Sequence, residues 1–290
     1  MPAQLAQALL DIGEWREATV GVEQGRSAVR RELEPCASYS VFERLRGACL
    51  ERFPRVHEAA PECVFDLLRT PGHSELGGAV AGESADRILG LCEEGHEVCV
   101  VHGAGPQITS EMTRRGIEVE FVGGRRRTNA AGLDVVRESM HAVNAALCAE
   151  LGDLATPVHG ERDGLLAVPV PQLGLVGEPL PCRPKKILTA LADGKVPVVA
   201  PMAVGPLNVN ADDAAAALAL GLGANALVFL TDVPGLYVDD TLVDEIGVGD
   251  AHRMLDAGVF DGGIVPKLRA AAIAAGSGIT ARIGQTEVVA

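Results

Sequence analysis

Aromatic residues are scarce in this sequence, at 3% of 290 residues, although 48% of the chain is hydrophobic. A core built under that constraint relies on Ala, Val and Leu, which suits helices packed closely on a parallel sheet. Positive charge is scarce as well, and the formal net charge at pH 7 is −14. Because a surface of that sign repels phosphate backbones and anionic lipids, neither nucleic acid nor a membrane surface is expected as a partner.

Long apolar runs and paired cysteine motifs are also missing. No apolar run approaches the roughly 20 residues that span a bilayer, so no membrane-spanning segment is expected. The first residues, MPAQLAQALLDIGEW, lack a basic stretch and a cleavage site, and we expect no signal peptide. The seven cysteines are an odd number without a C-x-x-C pair. They are therefore expected to be reduced thiols in a cytoplasmic protein, not zinc ligands or disulfides.

Helical and strand-like segments alternate from residue 84 onward, which predicts a parallel sheet covered by helices on both faces. Helices are predicted at Ala85–Glu94, Gln107–Gly116, Ala131–Leu151, Pro184–Asp193, Asp212–Leu222, Asp250–Ala257 and Pro266–Ala275. Strands are predicted at Glu97–His102, Ala155–His159, Leu165–Pro169, Val196–Pro201 and Ala226–Thr231. The fold class that we expect is α/β, a three-layer αβα sandwich with a mainly parallel central sheet.

A glycine-rich turn follows the apolar segment at the start of VCVVHGAGPQ, residues 98–107. Gly103 and Gly105 are expected to take positive φ and to bring the backbone close to a ligand. The amides of the turn and of the following helix's first turn would point at an anion. Turns of this kind are common in α/β proteins, so the signal is weak by itself.

Three distant segments fit the same chemistry: EFVGGRRRTN (120–129), PLNVNADDAAAALAL (206–220) and DGGIVPK (261–267). With HGAGPQ they resemble, in order and rough spacing, the signature segments of the acetylglutamate kinase branch of the amino acid kinase family. FLTDVPGLY (229–237) is similar to that family's nucleotide-side strand and loop. The resemblance extends from about Ala85 to Gly284. It implies transfer of phosphate from ATP, with Mg²⁺ carried by the nucleotide, to the side-chain carboxylate of N-acetylglutamate or a related N-blocked acidic amino acid.

The resemblance implies an acceptor site. The glycine turn would cradle the substrate carboxylate, Arg126 would grip the α-carboxylate with its guanidinium fork, and Asn208 would hydrogen-bond the substrate. His102 is expected to be a structural hydrogen-bonding residue and not a base. The substrate-binding set is His102, Gly103, Ala104, Gly105, Arg126, Asn208 and Asn210. Ala104 replaces the family's middle glycine and would cost about 1 kcal/mol if its φ were positive. The neighbours Arg125 and Arg127 are expected to be solvated.

Catalytic and nucleotide-binding residues are implied in the same way. Lys267 would follow the phosphoryl group as negative charge moves onto ADP, and Asp212 would organise the lysine. Asn208 and Asp212 lie at the start of an Ala-rich helix, where a capping role is equally compatible with their types. Nucleotide contacts are expected from Thr231, Asp232, Gly235, Gly262 and Gly263. No metal ligands of the protein's own are expected.

The family's lysine in the loop after the first strand has no counterpart here. In the register that we favour, Gly25-Arg26-Ser27 is the loop and Glu23 stands at the lysine position. A second register puts the first strand at Val64–Leu68, with Arg69 or Thr70 at that position. The chain also ends soon after Gly284, before the family's last helix and strand. The acceptor half therefore resembles the family more than the donor half does.

Two classes of function remain open. The first is a kinase in which Arg26, Arg69 or another cation replaces the lysine, and the second is a metabolite-binding or regulatory homologue. A carrier-bound acceptor or other chemistry in the same pocket is a further alternative.

We expect one domain over residues 1–290, with an acceptor lobe at about 1–185 and a nucleotide lobe at 186–290. Residues 32–80 form an unassigned insertion. A homo-oligomer, dimer or hexamer, is expected through a helix at Gln4–Trp15.

Overall fold

The structure is a computed structural model that describes the backbone of residues 62–66 and 78–290, apart from residue 232, with side chains from residue 84 onward. This part of the chain contains eight α-helices and sixteen strands. The helices are α1 Gly78–Glu93, α2 Gly105–Arg114, α3 Ala130–Leu151, α4 Gly160–Asp163, α5 Lys185–Ala192, α6 Ala211–Leu222, α7 Val248–Asp256 and α8 Ile264–Ala275.

The strands are short, and eight of them form one sheet. They are β1 Glu62–Asp66, β2 Val98–Val101, β3 Phe121–Val122, β4 Arg125–Arg126, β5 Ala155–His159, β6 Ala167–Pro169, β7 Val176–Pro179, β8 Val196–Ala200, β9 Met202–Ala203, β10 Leu207–Val209, β11 Ala226–Leu230, β12 Tyr237–Val238, β13 Thr241–Leu242, β14 Glu245–Gly247, β15 Thr280–Ile283 and β16 Thr286–Val289.

The order of the large sheet is β14-β16-β15-β11-β1-β2-β8-β5. From β15 to β5 all neighbouring strands are parallel, and only the β15–β16 pair is antiparallel. The mainly parallel sheet that the sequence predicts is therefore confirmed. Because the carboxyl ends of β2 and β11 meet at the same edge, the segments that follow these two strands lie on one side of the sheet.

Each face of the sheet is buried in a different hydrophobic cluster. Along β2, Cys99 and Val101 belong to one cluster, whereas Val98 and Val100 belong to the other. The first cluster includes residues of α5, α6 and α8, and the second includes residues of α1, α2 and α3. Since strand side chains alternate between faces, helices cover both sides of the sheet. This is the three-layer αβα sandwich expected from the sequence.

Helices α6 and α8 pack against each other mainly through alanine. The buried alanines of α6 are Ala211, Ala214, Ala215, Ala216, Ala217 and Ala219, and those of α8 are Ala270, Ala271, Ala272, Ala274 and Ala275. Small side chains allow two helix backbones to approach closely, which is how a core with few aromatics is filled.

The central position between β2 and β11 is filled by β1, Glu62–Asp66. This strand overlaps Val64–Leu68, the first strand of the second register. The structure therefore favours the second register, because the later segment takes the central place in the sheet. Glu23, Gly25–Ser27, Arg69 and Thr70 lie outside the described residues, as does the helix expected at Gln4–Trp15.

A four-stranded sheet, in the order β6-β7-β10-β9, carries Asn208. In it Asn208 of β10 pairs with Val176 of β7, in parallel. The expected lobe boundary between residues 185 and 186 passes through this sheet, so elements from both halves of the sequence position Asn208.

Candidate active site

The glycine-rich turn connects β2 directly to α2, which begins at Gly105. Neither Gly103 nor Gly105 takes a positive φ, so that expectation was wrong. The reason is that the chain enters the helix at once, with Pro106 in its first turn. A Cβ added to Gly105 would meet no atom within 4 Å, so the space beside this Cα is open. The unbonded amides of a helix N-terminus favour an anion in such a space.

Ala104 is the residue that precedes α2, and its side chain is completely buried. Its φ is −146°, outside the left-handed region that favours glycine. The strain considered for a positive φ is therefore absent, and the methyl group packs in the core with Ile108 and Met112. Ala104 contributes to the turn through its backbone and through core packing.

His102 is also completely buried, and its ring is held from both sides. Asn144 Nδ2 lies 3.0 Å from His102 Nε2 and also donates to Val198 O, at 2.8 Å. Nε2 therefore accepts, and Nδ1 carries the proton that faces the carbonyl oxygen of Gly103, at 3.3 Å. Burial lowers the pKa of His102 to about 4. The side chain thus supports the turn as a neutral imidazole, which agrees with the structural role expected for it.

Arg126 on β4 reaches the first turns of α2. Its Nη2 donates to Thr109 Oγ1 at 2.7 Å and to Gly105 O at 3.3 Å. Its guanidinium carbon lies 4.6 Å from the centre of the Phe121 ring, and only 7% of the residue is exposed. Among the described residues no carboxylate forms an ion pair with it. Burial lowers the pKa of Arg126. The structure therefore brings Arg126 to the glycine turn, where its partners among the described residues are neutral.

Asn208 is connected to Arg126 through Thr128. Asn208 Nδ2 donates to Thr128 Oγ1 at 3.1 Å, and Thr128 Oγ1 donates to the carbonyl oxygen of Arg126 at 3.0 Å. Thr128 is completely buried, and Asn208 is 9% exposed. Three of the segments identified from the sequence thus meet at one place. Thr128 and Thr109 were missed, because a single threonine carries no sequence signal.

Lys267 and Asp212 form a buried ion pair. Lys267 Nζ donates to Asp212 Oδ1 at 2.8 Å, and each side chain is 3% exposed. Asp212 lies in the first turn of α6, and Lys267 lies in the first turn of α8, four residues after Gly263. Charges are rarely buried unless they are paired, so this pair is built into the helix contact. The pairing agrees with the organising role expected for Asp212.

Asn210 caps helix α6. Its side-chain oxygen accepts a hydrogen bond from the amide of Asp213, at 3.0 Å. This is the role of an N-cap asparagine, and it occupies the side-chain oxygen of a residue that was expected to bind substrate. A ligand would have to contact other atoms of Asn210.

Arg125 is not the solvated neighbour that we expected. Its guanidinium bonds to Glu178 of β7 and, at 3.0 Å, to Asp213 of α6, and its side chain is 18% exposed. Arg127 is 53% exposed and pairs with Glu120, as expected for a surface residue. Arg125 was predicted to be solvated because a run of three arginines in a sequence does not show which face of a strand each side chain occupies.

The structure describes the surroundings of most of the residues that were assigned to nucleotide binding. Thr231 follows β11 and is half-buried, whereas Asp232 lies outside the described residues. A Cβ on Gly235 would lie 2.5 Å from Thr286 Oγ1, so contact with β16 by itself explains this glycine. Gly262 has a φ of +59° and open space beside it, and Gly263 precedes α8.

Two further findings concern the described part of the chain. None of its helices has the length and the apolarity that crossing a membrane requires. Its His, Cys, Asp and Glu side chains form no group of three or more that would hold a metal ion.

Comparison with known sequences identifies one family. Residues 75–285 match the sequence model of the amino acid kinase family. Acetylglutamate kinase of Rubrobacter xylanophilus is 43% identical over 219 residues, which is 72% of this chain and 86% of that protein. Acetylglutamate kinase of Geobacillus thermodenitrificans is 36% identical over 212 residues, which is 68% of this chain and 82% of that protein.

Solved structures with low sequence identity share the fold. The smu.665 protein of Streptococcus mutans superimposes with a TM-score of 0.67 at 22% identity, over 78% of this chain and 98% of that one. Carbamate kinase of Giardia lamblia bound to AMP-PNP superimposes with a TM-score of 0.60 at 16% identity, over 80% and 99% of the two chains.

Proposed function

Because the chain belongs to the amino acid kinase family, we propose that it transfers the γ-phosphoryl group of ATP to the side-chain carboxylate of N-acetylglutamate. The product is an acyl phosphate, the type of intermediate made in arginine biosynthesis. The relatives that the chain matches at 43% and 36% identity are named acetylglutamate kinases, which favours an enzyme over the regulatory alternative.

The observation that carries the proposal is the state of Arg126. It is a buried guanidinium whose described hydrogen-bond partners, Thr109, Gly105 and Met112, are all neutral. A buried cation without a counter-ion is costly, and a carboxylate ligand would complete it. The open space beside Gly105 adjoins the carbonyl to which Arg126 is bonded. A carboxylate substrate is thus the ligand class that fits these atoms.

Phosphoryl transfer requires little covalent chemistry from the protein. In the proposed reaction a carboxylate oxygen of the acceptor forms a bond to the γ-phosphorus, the bond from that phosphorus to the bridging oxygen breaks, and ADP leaves with the electron pair. No proton is transferred. Arg126 holds the other carboxylate and thereby orients the attacking one. Lys267 places positive charge near the oxygens on which negative charge develops, and Asp212 keeps the ammonium in place.

The nucleotide side of the proposal rests on Thr231, Asp232, Gly235, Gly262 and Gly263, with Mg²⁺ arriving on the ATP. Among these, Gly262 offers the clearest support, because its Cα faces open space two residues before α8 begins. The glycine pair precedes Lys267, so phosphate bound at that helix start would lie close to the catalytic lysine. We further propose that residues 1–185 mainly bind the acceptor and residues 186–290 mainly bind the nucleotide.

Hydroxylamine traps acyl phosphates, so the reaction can be measured as hydroxamate together with ADP release. We expect both products with N-acetylglutamate and Mg-ATP, and much less of either with glutamate or N-acetylaspartate. Arg126→Ala should weaken the binding of N-acetylglutamate by about 2–4 kcal/mol. Arg127→Ala is the matched control, because it removes the same charge from the residue that directly follows β4. Binding of the amino acid without ADP release would overturn the kinase and support a metabolite-binding protein.

Two arginine variants test which residue replaces the family's missing lysine. Since β1 ends at Asp66, Arg69 is the first cation after the strand in the sequence, and we propose it as the replacement. Arg69→Met should lower kcat by about 10²-fold, the scale of losing one charge-stabilising group, whereas Arg26→Met should not. The opposite result would return the first register to favour.

We also propose that the protein is cytoplasmic and forms a homo-oligomer. Among the described residues Cys92, Cys99 and Cys148 form no disulfide, which fits a reducing compartment. Light scattering of the purified chain decides the assembly, and a monodisperse monomer would contradict it.

A further inference from the structure

The β3–β4 hairpin, residues 121–126, is held on both faces of β4. Neighbouring side chains of a strand point to opposite faces. Arg126 points towards α2, where it bonds to Thr109 and Gly105. Arg125 points the other way and bonds to Glu178 and Asp213. One short strand is thus tied to three elements that lie far apart in the sequence.

The Arg125 contacts differ from ordinary surface ion pairs. Arg125, Glu178 and Asp213 are 18%, 20% and 14% exposed, so solvent screens their attraction only in part. One arginine bridges two carboxylates with separate nitrogen atoms, Nη1 to Glu178 and Nη2 to Asp213. The nearby Arg127–Glu120 pair is 53% and 46% exposed and stays within the hairpin region. Among the ion pairs of the described residues, only those of Arg125 connect the hairpin to β7 and α6.

The two carboxylates depend on this arginine. Burial raises the pKa of Asp213 to about 6, Arg125 opposes that rise, and Glu178 and Asp212 add to it. Burial alone would lower the pKa of Arg125, but Asp213 and Glu178 raise it overall. Without the guanidinium, two partly buried carboxylates would face each other unpaired.

Asp213 is the sequence neighbour of Asp212, which holds Lys267. We infer that Arg125 is a positioning residue: it fixes the hairpin, and therefore the Arg126 guanidinium, at a set distance from the first turn of α6. This inference rests on the proposed function for the identity of the ligand. According to this inference, Arg125 sets the distance between the Arg126 guanidinium and the Lys267–Asp212 pair.

The kinetic test compares Arg125→Leu, Arg125→Lys and the control Arg127→Leu, which removes the same charge from the residue that directly follows the hairpin. For Arg125→Leu we expect the KM for N-acetylglutamate to rise and kcat to fall, each by about tenfold, with the KM for ATP changed by less than about threefold. Arg125→Lys should recover part of the loss, because an ammonium can still pair with one carboxylate. Arg127→Leu should match the parent chain. A fall in melting temperature without a change in KM would overturn the inference.

A second measurement does not depend on turnover. Hydrogen–deuterium exchange of the amides in residues 120–128 should become about tenfold faster in Arg125→Leu, while exchange in β8 stays unchanged. Asp213→Asn combined with Arg125→Leu should add little to the effect of either variant alone. If the parent chain makes no acyl phosphate, the proposed function fails, and the exchange result still decides the role of Arg125. Unchanged exchange in the hairpin would overturn that role.

Discussion

Lys267 Nζ lies 2.8 Å from Asp212 Oδ1 inside the contact between two helices, and each side chain is 3% exposed. An ion pair in this position is poor evidence for stability, since burying both charges costs about as much as their attraction returns. The proposed phosphoryl transfer explains the pair better. Lys267 can face a reacting group in this buried place only if Asp212 holds the ammonium in position. The pair therefore gives a test in which stability and turnover separate.

Removing one partner should leave the other charged and buried. Lys267→Met and Asp212→Asn should each lower the free energy of unfolding by about 3 kcal/mol or more. The double variant should be more stable than the sum of the single effects predicts, because it leaves no unpaired charge. Turnover should fall by about 10²-fold or more in all three. Urea denaturation and hydroxamate formation measure the two effects, and additive losses of stability would contradict the pairing.

His102 should make stability depend on pH. Its pKa is about 4 in the fold and 6.5 ordinarily. A depressed pKa contributes stability that is present above pH 6.5 and is lost as the pH falls towards 4. The loss amounts to about 3 kcal/mol, at 1.36 kcal/mol for each unit of pKa. Unfolding free energies of the parent and of His102→Gln between pH 7 and pH 4 should converge. The control His96→Gln replaces a histidine that is 34% exposed, and parallel curves for His102→Gln would count against the prediction.

Ala104 and Gly105 should respond in opposite ways to exchange of alanine and glycine. Ala104→Gly removes a completely buried methyl group and should lower the free energy of unfolding by about 1–2 kcal/mol. Gly105→Ala places a methyl group in open space at a φ that alanine accepts, so stability should hold. That methyl group should instead hinder the acceptor and raise its KM. If Ala104→Gly improved turnover, the alanine would be a constraint on the site and not a core residue.

Gly221 near the end of α6 should not tolerate a side chain. A Cβ there would lie 2.1 Å from the carbonyl oxygen of Cys182, and backbone atoms cannot give way as a flexible side chain would. Gly221→Ala should therefore cost at least about 2 kcal/mol. Gly90→Ala in α1 is the control, because a Cβ there meets nothing within 4 Å and alanine should stabilise the helix by about 0.5–1 kcal/mol. Chemical denaturation of both variants checks the contrast.

Periodicity was sufficient for the long elements. The strand at Ala155–His159 has the bounds expected from the sequence, and the helix expected at Ala131–Leu151 runs from Ala130. Short strands such as β7, with the sequence VGEP, were missed because glycine and proline weaken a strand signal and the pairing that stabilises them is non-local. The β15–β16 hairpin was missed as well, because each of its strands has only four residues.

Some residues with a charged or glycine-rich context lie in contact as the sequence suggested: Arg126 bonds to the glycine turn, and Lys267 pairs with Asp212, while their roles stay predictions. Residues whose role depends on the fold were not. Arg125 was misjudged, because its partners Glu178 and Asp213 follow it by 53 and 88 residues. Asn144, which holds the ring of His102, lies on the inner face of a helix and looks like any polar helix residue in the sequence.

The alanine contact between α6 and α8 sets how accurately the chemistry can be aligned. Asp212 and Lys267 stand at the starts of these two helices, so the separation of the helix axes determines the separation of the two charged groups. Alanine has no rotamers, so the contact cannot absorb an added carbon atom by rearranging side chains. A substitution such as Ala271→Val, a full turn or more from Lys267, would therefore act as an active-site mutation.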